Sequence, residues 1–353
     1  MVVRTIKPYG TGFSRRSPMA VTQKDIAQQL GISQQTVASA LSGKGQSRMS
    51  EKTRSQVLLE AKRMGYRPNL AARALTQQRT GLIAVWTKNL ANPFYAHVLE
   101  ATESLLRTSG YEMIVRVIPG EELSPRLSEE WQSAQWPVDG IISIENALQA
   151  SQFLKTRAGV TPLVCVGGYD KKIPELDYVW VDLYQATFDA VEHLIDQGCQ
   201  RIATFMHALG FTTGSPRYDG YTDAMVKNGR RPEYIVVPET TKAAGRAVLQ
   251  TYAAKHGYPD GLFCYNDDLA IGAFRFLRDS GKSVPNEIAL IGCDGIEDTD
   301  YLEMPLSTII QPVDQMCAKA WDLLQRRIND GGVQPQHESL LAHLEVRASS
   351  QRN

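Results

Sequence analysis

From Gly81 onward, short apolar runs rich in β-branched residues alternate with stretches of helical periodicity, and this alternation constrains the fold more than any other feature. The runs include 82–86, 113–118, 140–144, 163–166, 201–205, 262–265 and 288–292. Between them, 182–197 carries Leu183, Ala186, Ala190, Val191, Leu194 and Ile195 on one helical face. A strand that is apolar along its whole length must be covered on both faces, which parallel sheets flanked by helices achieve. The roughly 270 residues after Thr80 are enough for two such lobes. Ligands in sheets of this kind sit beyond the carboxyl ends of the strands, so the cleft between two lobes is the expected site.

The first 80 residues differ in kind. They hold 14 Lys and Arg against Asp25, Glu51 and Glu60, a surplus of eleven positive charges, so the zero net charge of the 353-residue chain hides a basic head on an acidic body. A basic segment so placed is the electrostatic footprint of nucleic-acid binding. Its local pattern is helical. Thr22 followed by Asp25 is a variant capping box, and Gly31 suits the left-handed end of the helix that buries Ile26, Ala27 and Leu30. Ser33 caps a second helix with Val37, Ala40 and Leu41 inward, which turns Gln34, Gln35, Ala38, Ser39 and Ser42 outward. Ser50 caps a third, with Val57, Leu58, Ala61 and Met64 inward and Gly65 at its end.

Two short helices joined by a glycine turn and covered by a third make a helix-turn-helix, whose second helix reads base edges in the major groove. Glutamine can pair bidentately with adenine and serine with several bases, so Gln34, Gln35 and Ser39 are the candidate base readers. Thr22, Ser33, Lys44, Arg48, Ser50, Lys52 and Arg54 are the candidate phosphate contacts, which position without specifying.

The composition, 43% hydrophobic and 22% charged, is that of a globular protein. No run of 18 apolar residues suggests a membrane span, so no membrane partner is expected. Residues 1–19 are basic without an apolar block, which is a disordered extension or an upstream start before Met19 rather than a secretion signal. Five separated cysteines (Cys165, Cys199, Cys264, Cys293 and Cys317) give neither a disulfide framework nor a zinc pattern; they read as small buried hydrophobes in a reducing cytosol. The six histidines are scattered, GKG at 43–45 lacks the frame of a phosphate loop, and no nucleophile or metalloprotease motif occurs. No enzyme activity, cofactor or metal site is expected.

The strings VTQKDIA (21–27), GIS (31–33), TVASAL (36–41), SEKTR (50–54) and GYRPN (65–69) closely resemble the DNA-binding head of the LacI/GalR family of bacterial transcription regulators. The similarity continues through NPFY (92–95), VDGII (138–142), RYDGY (217–221), YND (265–267), IGCD (291–294) and STIIQP (307–312), in family order. The resemblance implies a small all-α helix-turn-helix head on an α/β core of two Rossmann-like lobes, similar to periplasmic sugar-binding proteins. It divides the chain into a disordered extension (1–19), the helix-turn-helix (20–67), a hinge helix and linker (68–80), and an effector core (81–353). Within the core the first lobe is expected over about 81–181 and 311–335 and the second over about 182–309 and 338–353, with crossings near 181–182, 310–311 and 331–341.

By the same resemblance Gln34, Gln35 and Ser39 occupy the operator-reading positions, although several members carry a longer side chain than Ser39. The segment NLAARAL (69–75) is too short for a stable isolated helix. The family uses it as a hinge that forms on DNA, with Asn69, Ala72, Arg73 and Leu75 in the minor groove and the leucine as wedge. Packing of Leu75 against its dimer mate is the alternative. Phe94 and Tyr95 would line the effector pocket from the first lobe, and Thr213, Arg217, Asn266 and Asp294 from the second. Taken singly, Phe94 could be a core residue, Arg217 a surface helix start and Asp294 a turn.

The implied function is a cytoplasmic DNA-binding regulator, a repressor in the family's usual form. It would bind a pseudo-palindromic double-stranded operator as a homodimer under control of a small-molecule effector, most commonly a sugar. Closure of the lobes would change the spacing of the hinge helices. No tetramer-forming leucine repeat precedes Asn353. The rival is a solute-binding protein of the periplasmic type with no DNA role.

Overall fold

The computed structural model describes residues 21–42, 49–66, 79–118, 138–145, 147–157, 161–167, 173–211 and 214–352. The 1–19 extension, Lys44, Arg48, Asn69, Ala72, Arg73, Leu75 and Thr213 lie outside the described residues. By internal contacts the chain divides into two units, Met1–Thr80 and Gly81–Asn353.

In the first unit, α1 (Gln23–Leu30) begins at a reciprocal cap: the Thr22 hydroxyl accepts from the Asp25 amide at 3.3 Å, and the Asp25 carboxylate accepts from the Thr22 amide at 2.8 Å. It ends at Gly31, whose φ of 65° is the left-handed turn a side chain would strain. The helix α2 (Gln34–Ser42) starts with the Ser33 hydroxyl accepting from the Thr36 amide at 3.0 Å, and α3 (Glu51–Arg63) with Ser50 accepting from Thr53 at 3.1 Å. Ile26, Ala27, Val37, Ala40, Val57 and Ala61 form the core, with Leu30, Leu41 and Met64 packed around it. Leu58, expected inside, is 45% exposed. It follows Val57 by one residue, about 100° off the stripe that Val57, Ala61 and Met64 define at i, i+4 and i+7.

The second unit contains two six-stranded sheets. The first lobe runs β1 (Leu82–Thr87), α4 (Pro93–Thr108), β2 (Glu112–Val117), β3 (Gly140–Ile144), α5 (Ala147–Arg157), β4 (Leu163–Val166) and β5 (Asp177–Asp182). The second runs α6 (Tyr184–Asp196), β6 (Ile202–His207), α7 (Pro216–Lys227), β7 (Glu233–Val237), α8 (Lys242–His256), β8 (Gly261–Phe263), α9 (Asp267–Asp279), β9 (Ala289–Asp294) and β10 (Ser307–Ile310). The chain then returns with α10 (Val313–Asn329) and β11 (His337–Leu341), and crosses once more to β12 (His343–Glu345).

Strand order is β2-β1-β3-β4-β5-β11 in the first sheet and β7-β6-β8-β9-β10-β12 in the second. All pairings are parallel except β10 with β12. Side-chain alternation explains the two-faced covering. In β1, Ile83 and Val85 pack on one side while Ala84 and Trp86 pack on the other, where Trp86 meets Phe153 edge-on at 5.2 Å. The helix α10 docks on the first lobe, with Trp321 donating to the Ser109 hydroxyl at 2.9 Å. All five cysteines are buried and unbridged.

The expected boundary at 338 falls inside β11, which pairs in parallel with β5 from His337↔Tyr178 to Leu341↔Asp182. The chain therefore stays with the first lobe until Leu341 and crosses at Ala342. The strands β5, β7 and β11 lie outside the runs read from the sequence. Of these, β11 alternates exposed and half-buried residues as the edge of its sheet, so it lacks the continuous apolar signal of a central strand.

Candidate functional site

On the head, Gln34 and Gln35 are exposed at the start of α2 and Ser39 is half-buried one turn later. This follows from the inward positions of Val37 and Ala40, both buried, because a helix that buries one stripe must present the rest. Thr22, Ser33 and Ser50 stand at the N-termini of α1, α2 and α3, where their hydroxyls serve as caps. Helix N-termini also offer unpaired amides and a partial positive charge, the natural seat for a phosphate. Lys52 is exposed and Arg54 half-buried in the first turn of α3.

The second cluster lies at the carboxyl ends of the strands of both lobes. Each sheet reverses its winding direction between its first and third strands, β1 and β3 in one lobe and β6 and β8 in the other, and such switch points open a crevice. In the first lobe, Asn92 caps α4 by accepting from the Phe94 amide at 2.9 Å, and Glu145 follows β3. The Tyr95 hydroxyl donates to the Glu145 carboxylate, joining the two strand ends. In the second lobe His207 ends β6, Tyr265 follows β8, Asp294 ends β9 and Gln311 follows β10.

Arg217, in the first turn of α7, is the hub of this cluster. Its guanidinium lies 4.4 Å from the centre of the Tyr265 ring and 3.4 Å from Asp294 Oδ1, to which the Gln311 amide also donates at 2.8 Å. Gly210 permits the arrangement, since a Cβ there would come within 2.9 Å of the Tyr265 ring. Burial alone would lower the Arg217 pKa, but Cys293, Tyr265 and Asp294 act the other way and the net is upward, so it is a fixed cation. Burial pushes the Asp294 carboxyl well up; Arg217 opposes this, while Asp267 and Glu145 reinforce it. Asp294 is held at φ 128°, a strained conformation for a residue with a side chain. The restraint comes from Asp267, whose carboxylate accepts from the amides of Gly295 at 2.7 Å and Ile296 at 3.0 Å, and from the Thr308 hydroxyl at 2.6 Å. The two lobes also touch directly, with Asn92 Nδ2 donating to Asp268 at 3.2 Å.

Tyr95, Arg217 and Asp294 are thus brought together across the cleft. Asn266 adjoins Tyr265, but it is the N-cap of α9: its side chain accepts from the Leu269 amide at 3.0 Å and donates to the Thr240 carbonyl at 3.2 Å. One amide hydrogen is left for a ligand. Phe94, expected in the lining, is only 5% exposed and belongs to the core beneath. The cap at Asn92 fixes the start of α4 so that Phe94 turns inward, and Tyr95, one residue on, swings about 100° to the cleft. Sequence reasoning missed Glu145, Gln311 and His207 and did not single out Tyr265 as a lining residue. All four follow or end an apolar strand, so the carboxyl-end rule applied strand by strand would have marked them.

Among the described residues no group of three or more His, Cys, Asp or Glu is placed to hold a metal, and no helix is long and apolar enough to cross a membrane.

Residues 191–350 match the periplasmic binding protein-like domain family. The HTH-type transcriptional regulator CelR of Thermobifida fusca is 30% identical over 350 residues, covering 95% of this chain and 99% of the relative. The chain belongs to the LacI/GalR family of bacterial transcriptional regulators. Two solved structures share the architecture. A complex of the transcriptional regulator CelR with cellobiose is 26% identical with a TM-score of 0.66, covering 93% of this chain and 99% of the other. The lac repressor dimer bound to operator and the anti-inducer ONPF superposes with a TM-score of 0.80 over 95% of this chain and all of the other; at 23% identity it shows the common fold. As a LacI/GalR member the chain is a sequence-specific DNA-binding regulator and not an enzyme.

Proposed function

We propose that this LacI/GalR protein is an effector-controlled repressor, acting in the bacterial cytosol as a homodimer on a pseudo-palindromic operator. The observation that carries it is the convergence of Arg217, Asp294, Tyr265, Gln311 and the Tyr95–Glu145 pair on one cleft, in a chain whose first unit is a capped helix-turn-helix. A guanidinium over a ring, beside carboxylates and an amide, suits a polyhydroxylated ligand: the ring offers a stacking face and the polar groups fork onto hydroxyls. The bound cellobiose of the CelR complex is in keeping with a sugar effector. Gln34, Gln35 and Ser39 are assigned to operator bases, with Thr22, Ser33, Lys44, Arg48, Ser50, Lys52 and Arg54 on the backbone. Asn69, Ala72, Arg73 and Leu75 are assigned to the minor groove.

Binding to duplex DNA should weaken steeply with salt, by about 10³–10⁵ between 50 and 200 mM if six to ten phosphates are neutralised. A flat salt response in a filter-binding or anisotropy titration would remove the phosphate contacts assigned here. Replacing Gln35 with alanine removes an exposed bidentate donor–acceptor at the start of α2. Discrimination at one operator position should fall by about 1–3 kcal/mol, while non-specific affinity and salt slope stay as they were. Selection from a randomised operator library measures this, and an unchanged consensus would refute the role of Gln35.

A further inference from the structure

We propose that Glu145 is the specificity-determining acceptor of the cleft: it takes hydroxyl donors from an uncharged sugar and bars sugars that carry a phosphate or carboxylate. The inference rests on reading the cleft as a sugar site and adds the charge class of the ligand.

The placement of Glu145 is built rather than incidental. It follows β3 at the switch point of the first sheet, with a backbone φ of 51° that few residues with side chains adopt. Gly167 directly follows the neighbouring strand β4, and a Cβ there would come within 3.0 Å of Glu145 Cγ, so glycine leaves the room that the side chain fills. The Tyr95 hydroxyl donates to one carboxylate oxygen and fixes its orientation. A carboxylate has about four acceptor sites, so this single donor leaves most of its capacity for ligand hydroxyls.

Across the cleft the buried cation is already engaged. The charge of Glu145 reaches Asp294, Tyr95 and Tyr265, and Asp267 lies behind Asp294. The Arg217 guanidinium is itself engaged by Asp294 and by the face of Tyr265, so it is not free to answer a charge placed against Glu145. Burial lowers the His207 pKa, and Lys88 acts the same way, against a hydrogen bond with the Pro238 backbone. An anionic group placed against Glu145 would meet a like charge in a partly buried site, where such charges repel far more than in water. A neutral sugar meets acceptors on both lobes.

The test uses the full chain and three pairs of probes: ribose and ribose 5-phosphate, glucose and glucose 6-phosphate, cellobiose and cellobiose 6-phosphate. Calorimetric titration gives each affinity for the wild type and for Glu145→Gln, which keeps the shape and the backbone conformation. The wild type should prefer the free sugar it binds over that sugar's phosphate by about 100-fold. Glu145→Gln should shrink that ratio about tenfold without changing Tm, a readout that a merely structural role would not move. A phosphate ester bound as tightly as its parent, or a ratio untouched by Glu145→Gln, overturns the assignment of Glu145 while the sugar reading stands. Absence of binding by all six probes overturns the sugar reading, and the assignment with it.

Discussion

Replacing Arg217 with alanine is expected to abolish the effector response. A sugar that shifts the wild-type protein should lose at least about 100-fold in affinity, and operator binding should cease to depend on it. Both partners of the Arg217–Asp294 pair are largely withdrawn from water, with side chains 15% and 9% exposed. Removing the cation leaves Asp294 facing Glu145 and Asp267 with the Gln311 amide as its remaining side-chain donor. Breaking a buried pair in this way costs about 3–5 kcal/mol, because Asp294 is left either charged without its partner or forced to take up a proton. The same substitution empties the space over the Tyr265 ring and so removes one wall of the proposed ligand seat. Arg217→Lys separates the two effects. It returns the charge but not the planar fork or the stacking surface, so stability should recover further than affinity. Denaturant melts beside calorimetric titrations measure this, and an alanine variant that still answers the effector would place the seat elsewhere.

How far such a site can be read from sequence depends on whether its residues announce themselves locally. Arg217 and Asp294 stand inside strings long enough to be matched, RYDGY and IGCD, and the strands leading to the site are apolar along their length. Those features survive in one dimension. Glu145 does not: it is one acid after the string GIISI, and nothing nearby in sequence shows that Tyr95, fifty residues earlier, reaches its carboxylate. Phe94 and Tyr95 show the same limit from the other side. Both are aromatic and adjacent, and only the phase of the helix after Asn92 decides which enters the core. In the head, Leu58 carries the right chemistry at the wrong angle. The edge strand β11 fails for a further reason, since half-exposed strands on a sheet margin lose the continuous apolar run that identifies the interior ones.

Asp267 makes the second large prediction, and it concerns a residue that touches no ligand. Fully buried behind Asp294, its carboxylate gathers the Thr308 hydroxyl and the amides of Gly295 and Ile296, and these bonds hold the strained turn on which Asp294 stands. Asp267→Ala would orphan three buried donors. At about 1–3 kcal/mol for each group left unsatisfied, with partial relaxation, the expected loss is about 3–5 kcal/mol. Asp294 should then drift from Arg217, so effector affinity falls together with stability. Asp267→Asn keeps a carbonyl for the two amides and can donate to Thr308, and it isolates the charge. Burial pushes the Asp267 carboxyl up from its ordinary 3.8 to about 6, against the hydrogen bonds and the charge of Arg347. A pKa raised in the folded state means that the native protein binds the extra proton between about pH 4 and pH 6. Stability from this group is therefore complete below about pH 4 and is lost as pH rises through 6, about 3 kcal/mol in all. The difference in unfolding free energy between Asp267→Asn and wild type should accordingly shift in favour of the asparagine variant across that window and stay level above it. A difference independent of pH would show that the carboxylate is ionised in the native protein throughout, and that the turn is held by the charge rather than in spite of it.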